Sequence, residues 1–386
     1  MADAVQLANP DVEKNLAIAP QSRILELDAL RGFAALMVFA RHAFTGSMIG
    51  HTWTGVAAIA NKVAQSGVTG VDVFFVLSGY IITTLLISQR NKPDYFSSFY
   101  MKRARRILPP YLLVLLVFWL TTPHGGPFVL ASLLFFANGA YLFGSFPVYG
   151  PLWSLSVEEH FYLLWPLLVK KGTRNVLIAG LILTVIGEPL ARMALPNSDG
   201  GVLQLTLFRL DGLSLGALLA LLLPKATLAK RIWVKRYCTA AGVAGVLLTI
   251  SIGVAGSTRH DRWGGSMVFT AASLLSFACI GYMVAYQGEP VTRWLRFRPL
   301  VFMGTISYGF YLYHQHVMKG FDAVLLRFNV VWLTHESVQF SGIVLRAIAC
   351  FLITVAVASI SFYFFERPIQ RWGSGRRIEV SQSTKA

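Results

Sequence analysis

The chain has 386 residues, 55% hydrophobic and only 13% charged, with mean hydropathy +0.58. Soluble domains are about 25% charged, so this composition excludes an ordinary soluble fold and points to a polytopic membrane protein. The net charge of +16 and pI near 10.0 would suggest nucleic acid in a soluble chain. In a membrane protein they follow from basic loops on one side, with anionic lipid or a phosphorylated ligand as further partners.

Residues 1–22 are polar, with Asp3, Asp11, Glu13 and Lys14. They are expected to form a cytoplasmic tail, with the first span as an uncleaved insertion signal. The first apolar stretch, 27–46, reads LDALRGFAALMVFARHAFTG and holds Asp28, Arg31, Arg41 and His42. Ionisable groups within a span cost a few kcal/mol and commonly serve a pathway, a proton relay or a catalytic site. Arg31 and His42 are eleven positions apart, so a helix places them within about 20° of one face and about 16 Å apart along it.

Ten spans are predicted, at 28–46, 68–88, 107–122, 152–169, 175–195, 204–223, 238–256, 266–287, 299–318 and 342–365. Segment 128–143, FVLASLLFFANGAYLF, is nearly as apolar. If it crossed, every later basic loop would invert. With 128–143 re-entrant or lying on the outer surface, 24 of the 34 basic residues fall on one side, which the positive-inside rule assigns to the cytoplasm together with both termini. The expected fold is therefore an all-α polytopic membrane protein, with about ten transmembrane helices plus that one segment. The transmembrane domain covers 23–372, and 373–386 forms a cytoplasmic tail. Cys238, Cys279 and Cys350 lie in apolar stretches without metal-ligand spacing, so neither a metal nor a disulfide framework is expected.

On this topology His42, Asp72, Glu158, Arg209, Asp211, His314 and Arg346 fall within about 6–11 Å of the outer ends of their spans. Groups at one depth can pair across helices, and Arg209 is expected to pair with Asp211. The inner side carries FYMKRARRILPPY at 99–111, four basic residues beside a predicted helix start at Pro109 and Pro110. Such a cluster either holds phosphates or merely orients the chain. A neutral histidine could deprotonate a hydroxyl, with a carboxylate holding its tautomer. The pattern fits transfer chemistry across the membrane, and equally a proton-coupled exporter or flippase.

Seven motifs then occur in order: LDALRGFAALMVFARH, GVDVFFVLSGYIIT, FYMKRARRILPPY, LWSLSVEEHFYLLWPLL, RLDGLSLGALLA, ISYGFYLYHQHV and FFERPIQR. Together they closely resemble the membrane acyltransferase-3 family of O-acyltransferases of glycans and macrolide sugars, over about residues 22–372. With no GDS-type motif after the last span, the sequence resembles the stand-alone form rather than the one carrying an SGNH-hydrolase-like domain.

The resemblance implies an integral O-acyltransferase of the bacterial inner membrane. Its donor would be cytosolic acyl-CoA, acetyl-CoA first among the choices. Its acceptor would be a hydroxyl of a glycan, lipid-linked oligosaccharide or other glycoconjugate. No metal is implied. Membrane lipid and a second copy in a homodimer complete the expected partners. By position it implies His42 as general base, with Glu158 and Arg31 also catalytic. It also implies Arg103, Arg105, Arg106 and, as the least typical member, Lys102 as the acyl-CoA phosphate site. Asp72, Tyr80, Arg209, Tyr308, Tyr311 and His314 are expected to line the acceptor site. The plainer readings are an Arg31–Asp28 pair, helix capping by Asp72, and bundle packing for the span-9 tyrosines and His314. Ser78, beside Gly79, fits close helix packing better than nucleophilic chemistry.

Overall fold

The computed structural model describes residues 24–48, 53–195, 201–257, 261–334 and 339–372. The predicted tails, 1–22 and 373–386, lie outside the described residues. The described chain is helical, with no strand among these residues. The principal helices are α1 (Leu25–Met48), α2 (Gly55–Ser66), α3 (Gly70–Gln89), α4 (Tyr95–Thr121), α5 (Gly126–Leu133), α6 (Leu152–Lys171) and α7 (Arg174–Ala194). They continue with α8 (Leu210–Leu222), α9 (Thr227–Val254, through a π turn at Val234–Cys238), α10 (Arg262–Ala285), α11 (Arg298–Arg327) and α12 (Phe340–Ser361).

Among the described residues, six helical stretches are long and apolar enough to cross a membrane: Gly55–Gln89, Tyr95–Thr121, Arg174–Ala194, Thr227–Val254, Arg262–Ala285 and Phe340–Arg371. The protein is an all-α, multi-pass membrane protein. The remaining predicted spans are also helical, but α1, α6 and α11 carry more polar and ionisable residues. Helix α8 has only 13 residues, about 20 Å against a hydrocarbon core of about 30 Å. Segment 128–143 forms the eight-residue α5 followed by a 3-10 turn, Ala137–Phe143. At about 12 Å, α5 is too short to span.

Two expected boundaries are corrected. Helix α4 begins at Tyr95, so Pro109 and Pro110 lie inside it rather than in its first turn. The basic residues 102–106 are thus helical, and neighbours in sequence point to different faces. Helix α11 runs on to Arg327, nine residues beyond the predicted span, and brings in Asp322.

Two close helix contacts set the core. Helix α1 packs on α11, where a Cβ on Gly304 would sit 1.8 Å from the Asp28 carbonyl oxygen and one on Gly32 2.3 Å from that of Leu300. Helix α3 packs on α8, where a Cβ on Gly79 or Gly216 would sit 2.0 Å from a facing carbonyl oxygen. Only glycine permits either approach, the usual device for joining helices in lipid. The first contact brings His42 beside His314, and the second brings Asp72 beside Arg209. Helix α8 starts on the Glu188 carboxylate, which accepts from the N–H groups of Leu210 (3.0 Å) and Asp211 (2.8 Å). An anion there satisfies donors that a helix start leaves open.

Candidate active site

The interior holds two adjoining cavities. The first opens among Arg31 of α1, Arg103 and Arg106 of α4, Ser78 of α3, Glu158 and Tyr162 of α6, and Tyr308 of α11. Helical spacing explains the selection on α4. Arg103 and Arg106 are three apart and share a face, whereas Lys102 and Arg105 each lie one step, 100°, to the side. Lys102 is exposed and Arg105 half-buried, and neither lines this cavity. Of the four basic residues expected to hold donor phosphates, Arg103 and Arg106 line this cavity, together with Arg31.

Among the described residues, Glu158 is the carboxylate that lines this cavity with those three arginines. Its oxygens accept from Tyr162 Oη (2.8 Å) and Ser78 Oγ (3.2 Å). The Arg103 guanidinium lies 4.9 Å over the Tyr162 ring, a cation–π geometry that steers it along the cavity wall. Arg31 keeps a loose contact with Asp28 at 3.9 Å, so the ion-pair reading of that residue holds alongside its cavity position. Three arginine side chains lining one cavity offer the forked donors that grip phosphate groups. Ser78 therefore does more than allow packing; its neighbour Gly79 makes the backbone contact.

The second cavity, ≈ 1090 Å³, is lined by His42 and Arg41 of α1, Gly150 and Trp153 at the start of α6, Gln204, Arg209, Phe269 and Tyr311. The two cavities share Val71 and Tyr311 as a common wall. Tyr311 Oη lies 2.6 Å from Ser154 Oγ, which ties α11 to α6 at that wall. Tyr308 lies on the basic side and donates to the Ile107 carbonyl (3.1 Å). Trp153 and Gln204 were not singled out in the sequence; Trp153 sits in a recognised motif, but Gln204 carries no local signal.

His42 is not held by Glu158, contrary to the expected carboxylate partner. Its Nδ1 lies 2.9 Å from His314 Nε2, and His314 Nδ1 lies 2.6 Å from the Tyr311 carbonyl oxygen. His314 is 1% exposed and lines neither cavity, so it stands behind His42 rather than in an acceptor pocket. Tyr80 is also displaced from the expected site: it packs with Leu27, Leu215 and Leu219 in a second apolar cluster.

The expected Arg209–Asp211 pair is exchanged for two others. Arg209 meets Asp72 at 2.7 Å, and Asp211 meets Arg192 at 2.8 Å. The first residues of α8 turn Asp211 toward α7, while Arg209, just before the helix, turns toward α3. Asp72 thus supports Arg209 from behind, and only Arg209 of the two lines the cavity. Arg346 grips Asp322 with two 2.7 Å contacts and donates to the Ala43 carbonyl at 3.1 Å. That joins α12 and α11 to α1 immediately beside His42.

Fold and site define a helical membrane bundle in which a cationic cavity and a histidine-bearing cavity meet within the core. The family model for the acyltransferase-3 group, described as an acyltransferase domain, matches residues 24–363, and the chain belongs to that family. It is 30% identical to YrhL of Bacillus subtilis (strain 168), provisionally named a peptidoglycan O-acetyltransferase, over 90% of this chain and 55% of that protein. It is 28% identical to the peptidoglycan O-acetyltransferase OatA of Listeria monocytogenes (90% and 56%) and to the O-acetyltransferase OatA of Staphylococcus aureus NCTC 8325 (90% and 57%). The chain thus spans about half the length of the curated relatives it matches. No solved structure matches it.

Proposed function

We propose that the protein is an O-acyltransferase that moves an acyl group, acetyl in the first instance, from acyl-CoA to a hydroxyl of an envelope glycan. The observation that carries this reading is the junction of the two cavities at Val71 and Tyr311, with three arginines on one side and His42 on the other. Donor phosphates rest against Arg31, Arg103 and Arg106, and the acyl arm extends along α1 toward His42, about 16 Å away by helix rise. The acceptor enters the second cavity, where Trp153, Gln204 and Arg209 offer a stacking face and polar contacts. His42 takes the hydroxyl proton as its oxygen attacks the thioester carbonyl. The C–O bond forms, the C–S bond breaks, and the thiolate recovers the proton.

On the same reading the chain crosses the bacterial cytoplasmic membrane ten times, with both termini and the Lys102–Arg106 end in the cytoplasm. The excess of lysine and arginine on that side supports the orientation. The names of the relatives support a glycan acceptor. Family membership favours transfer over export of acylated products, the other reading open from the sequence.

The test is CoA release from acetyl-CoA by the purified protein in nanodiscs, with glycan acceptor, wild type beside His42→Ala. Release lost in the variant while acetyl-CoA still binds supports the proposal. Equal release in both removes His42 from the chemistry, and no binding in either removes acetyl-CoA as donor.

A further inference from the structure

The hydrogen bonds behind His42 determine which of its ring nitrogens is available. The Tyr311 carbonyl oxygen, 2.6 Å from His314 Nδ1, can only accept, so Nδ1 carries the hydrogen. A neutral imidazole has a single N–H, which leaves His314 Nε2 with a lone pair. The 2.9 Å contact from that atom to His42 Nδ1 then requires the hydrogen on His42 Nδ1. His42 Nε2 is left bare on a residue that lines the second cavity.

The arrangement is built into the bundle. The glycine contact between α1 and α11 sets the two helices at one register. Phe39 packs against the His314 ring, with centroids 6.4 Å apart. Arg346 holds the Ala43 carbonyl, one residue past His42. With His314 buried and outside both cavities, no ligand competes for its Nε2.

We propose that His314 is a positioning residue that locks His42 in the Nδ1–H tautomer and so makes His42 Nε2 the atom that takes the acceptor proton. This rests on the reading of His42 as general base. The His314 imidazole takes the place that a carboxylate holds in many hydroxyl-activating sites, its own hydrogen fixed by the main chain. While His42 holds the second proton, its Nδ1–H still donates to His314 Nε2. His314 brings no negative charge, so its effect falls on kcat through tautomer and ring orientation rather than on donor binding.

The experiment is imidazole nitrogen NMR on histidine-labelled, full-length protein in nanodiscs, with His42→Ala identifying the His42 signals, alongside kinetics of His314→Leu and His314→Gln. Wild type is expected to show His42 protonated at Nδ1 and bare at Nε2. The leucine variant should lose roughly 10²–10⁴-fold in kcat with donor KM unchanged. Glutamine, whose amide oxygen can stand where Nε2 stood, should recover about tenfold or more of that loss. A wild-type hydrogen on Nε2 overturns the proposal even if the leucine variant fails to fold. So does full activity in His314→Leu while His42→Ala is inactive, a result that leaves His42 as the base. Full activity in His42→Ala overturns the general-base reading itself.

Discussion

Replacement of single arginines on α4 separates a donor site from a merely orienting charge cluster. Arg103 and Arg106 line the cationic cavity, whereas Lys102 and Arg105 do not. A hydrogen bond to a charged partner contributes about 1.5–3 kcal/mol, or about 10- to 150-fold in affinity. Arg103→Gln and Arg106→Gln should each weaken acyl-CoA binding within that range, since each leaves two arginines facing Glu158. Lys102→Gln and Arg105→Gln remove the same charge from outside the cavity and should change affinity by less than about threefold, the scale of a surface charge effect. Calorimetry with a non-hydrolysable acyl-CoA analogue in nanodiscs measures this directly, without any turnover. The salt dependence should also flatten in the cavity variants alone. Equal losses at all four positions would refute the cavity assignment, because net charge and not location would then govern binding. No loss at Arg103 and Arg106 would refute it as well.

Arg346 and Asp322 are 4% and 6% exposed, so Arg346→Met removes two 2.7 Å contacts to a buried carboxylate and should cost about 3–5 kcal/mol of stability. The double variant with Asp322→Leu should recover most of that loss in thermal scans; a double variant no better than the single one contradicts the ion-pair account. Tyr311→Ala opens the wall between the cavities and should raise acetyl-CoA hydrolysis without acceptor several-fold relative to transfer, read as CoA released per ester formed. An unchanged ratio would mean that Tyr311 does not separate the donor from water.

The helices were legible because long apolar stretches with basic flanks leave little freedom, and the Arg31–His42 spacing already implied one face. The partners of the buried charges were not legible. Arg209 and Asp211 are two apart in sequence, yet the helix start at Leu210 turns them toward different neighbours. Asp322 was missed because charged and polar residues beyond 318 lower the hydropathy of α11, although the helix itself continues. Lys102 and Arg105 were grouped with Arg103 and Arg106 as though the run were a loop. On a helix the same four residues divide by face, and composition carries no information about which face meets the cavity. The pairing of His42 with His314 joins residues 272 positions apart, and no local pattern encodes it.

The buried ionisable groups divide by role. Asp72–Arg209, Asp211–Arg192 and Asp322–Arg346 are buried ion pairs that fasten helices together. Each offsets the expense of burying its own charges and, except for Arg209, leaves the cavities to others. Arg31, Arg103 and Arg106 line one cavity together, where a polyanionic donor would meet all three. Glu158 is held by two hydroxyl donors on that same side, where it can order the arginines but does not touch His42. The contacts of Glu158 run to Ser78 and Tyr162 and those of His42 to His314, with Val71 and Tyr311 in the wall between. On the proposed function, a bare His42 nitrogen on the far side of that wall suits a hydroxyl arriving from the second cavity.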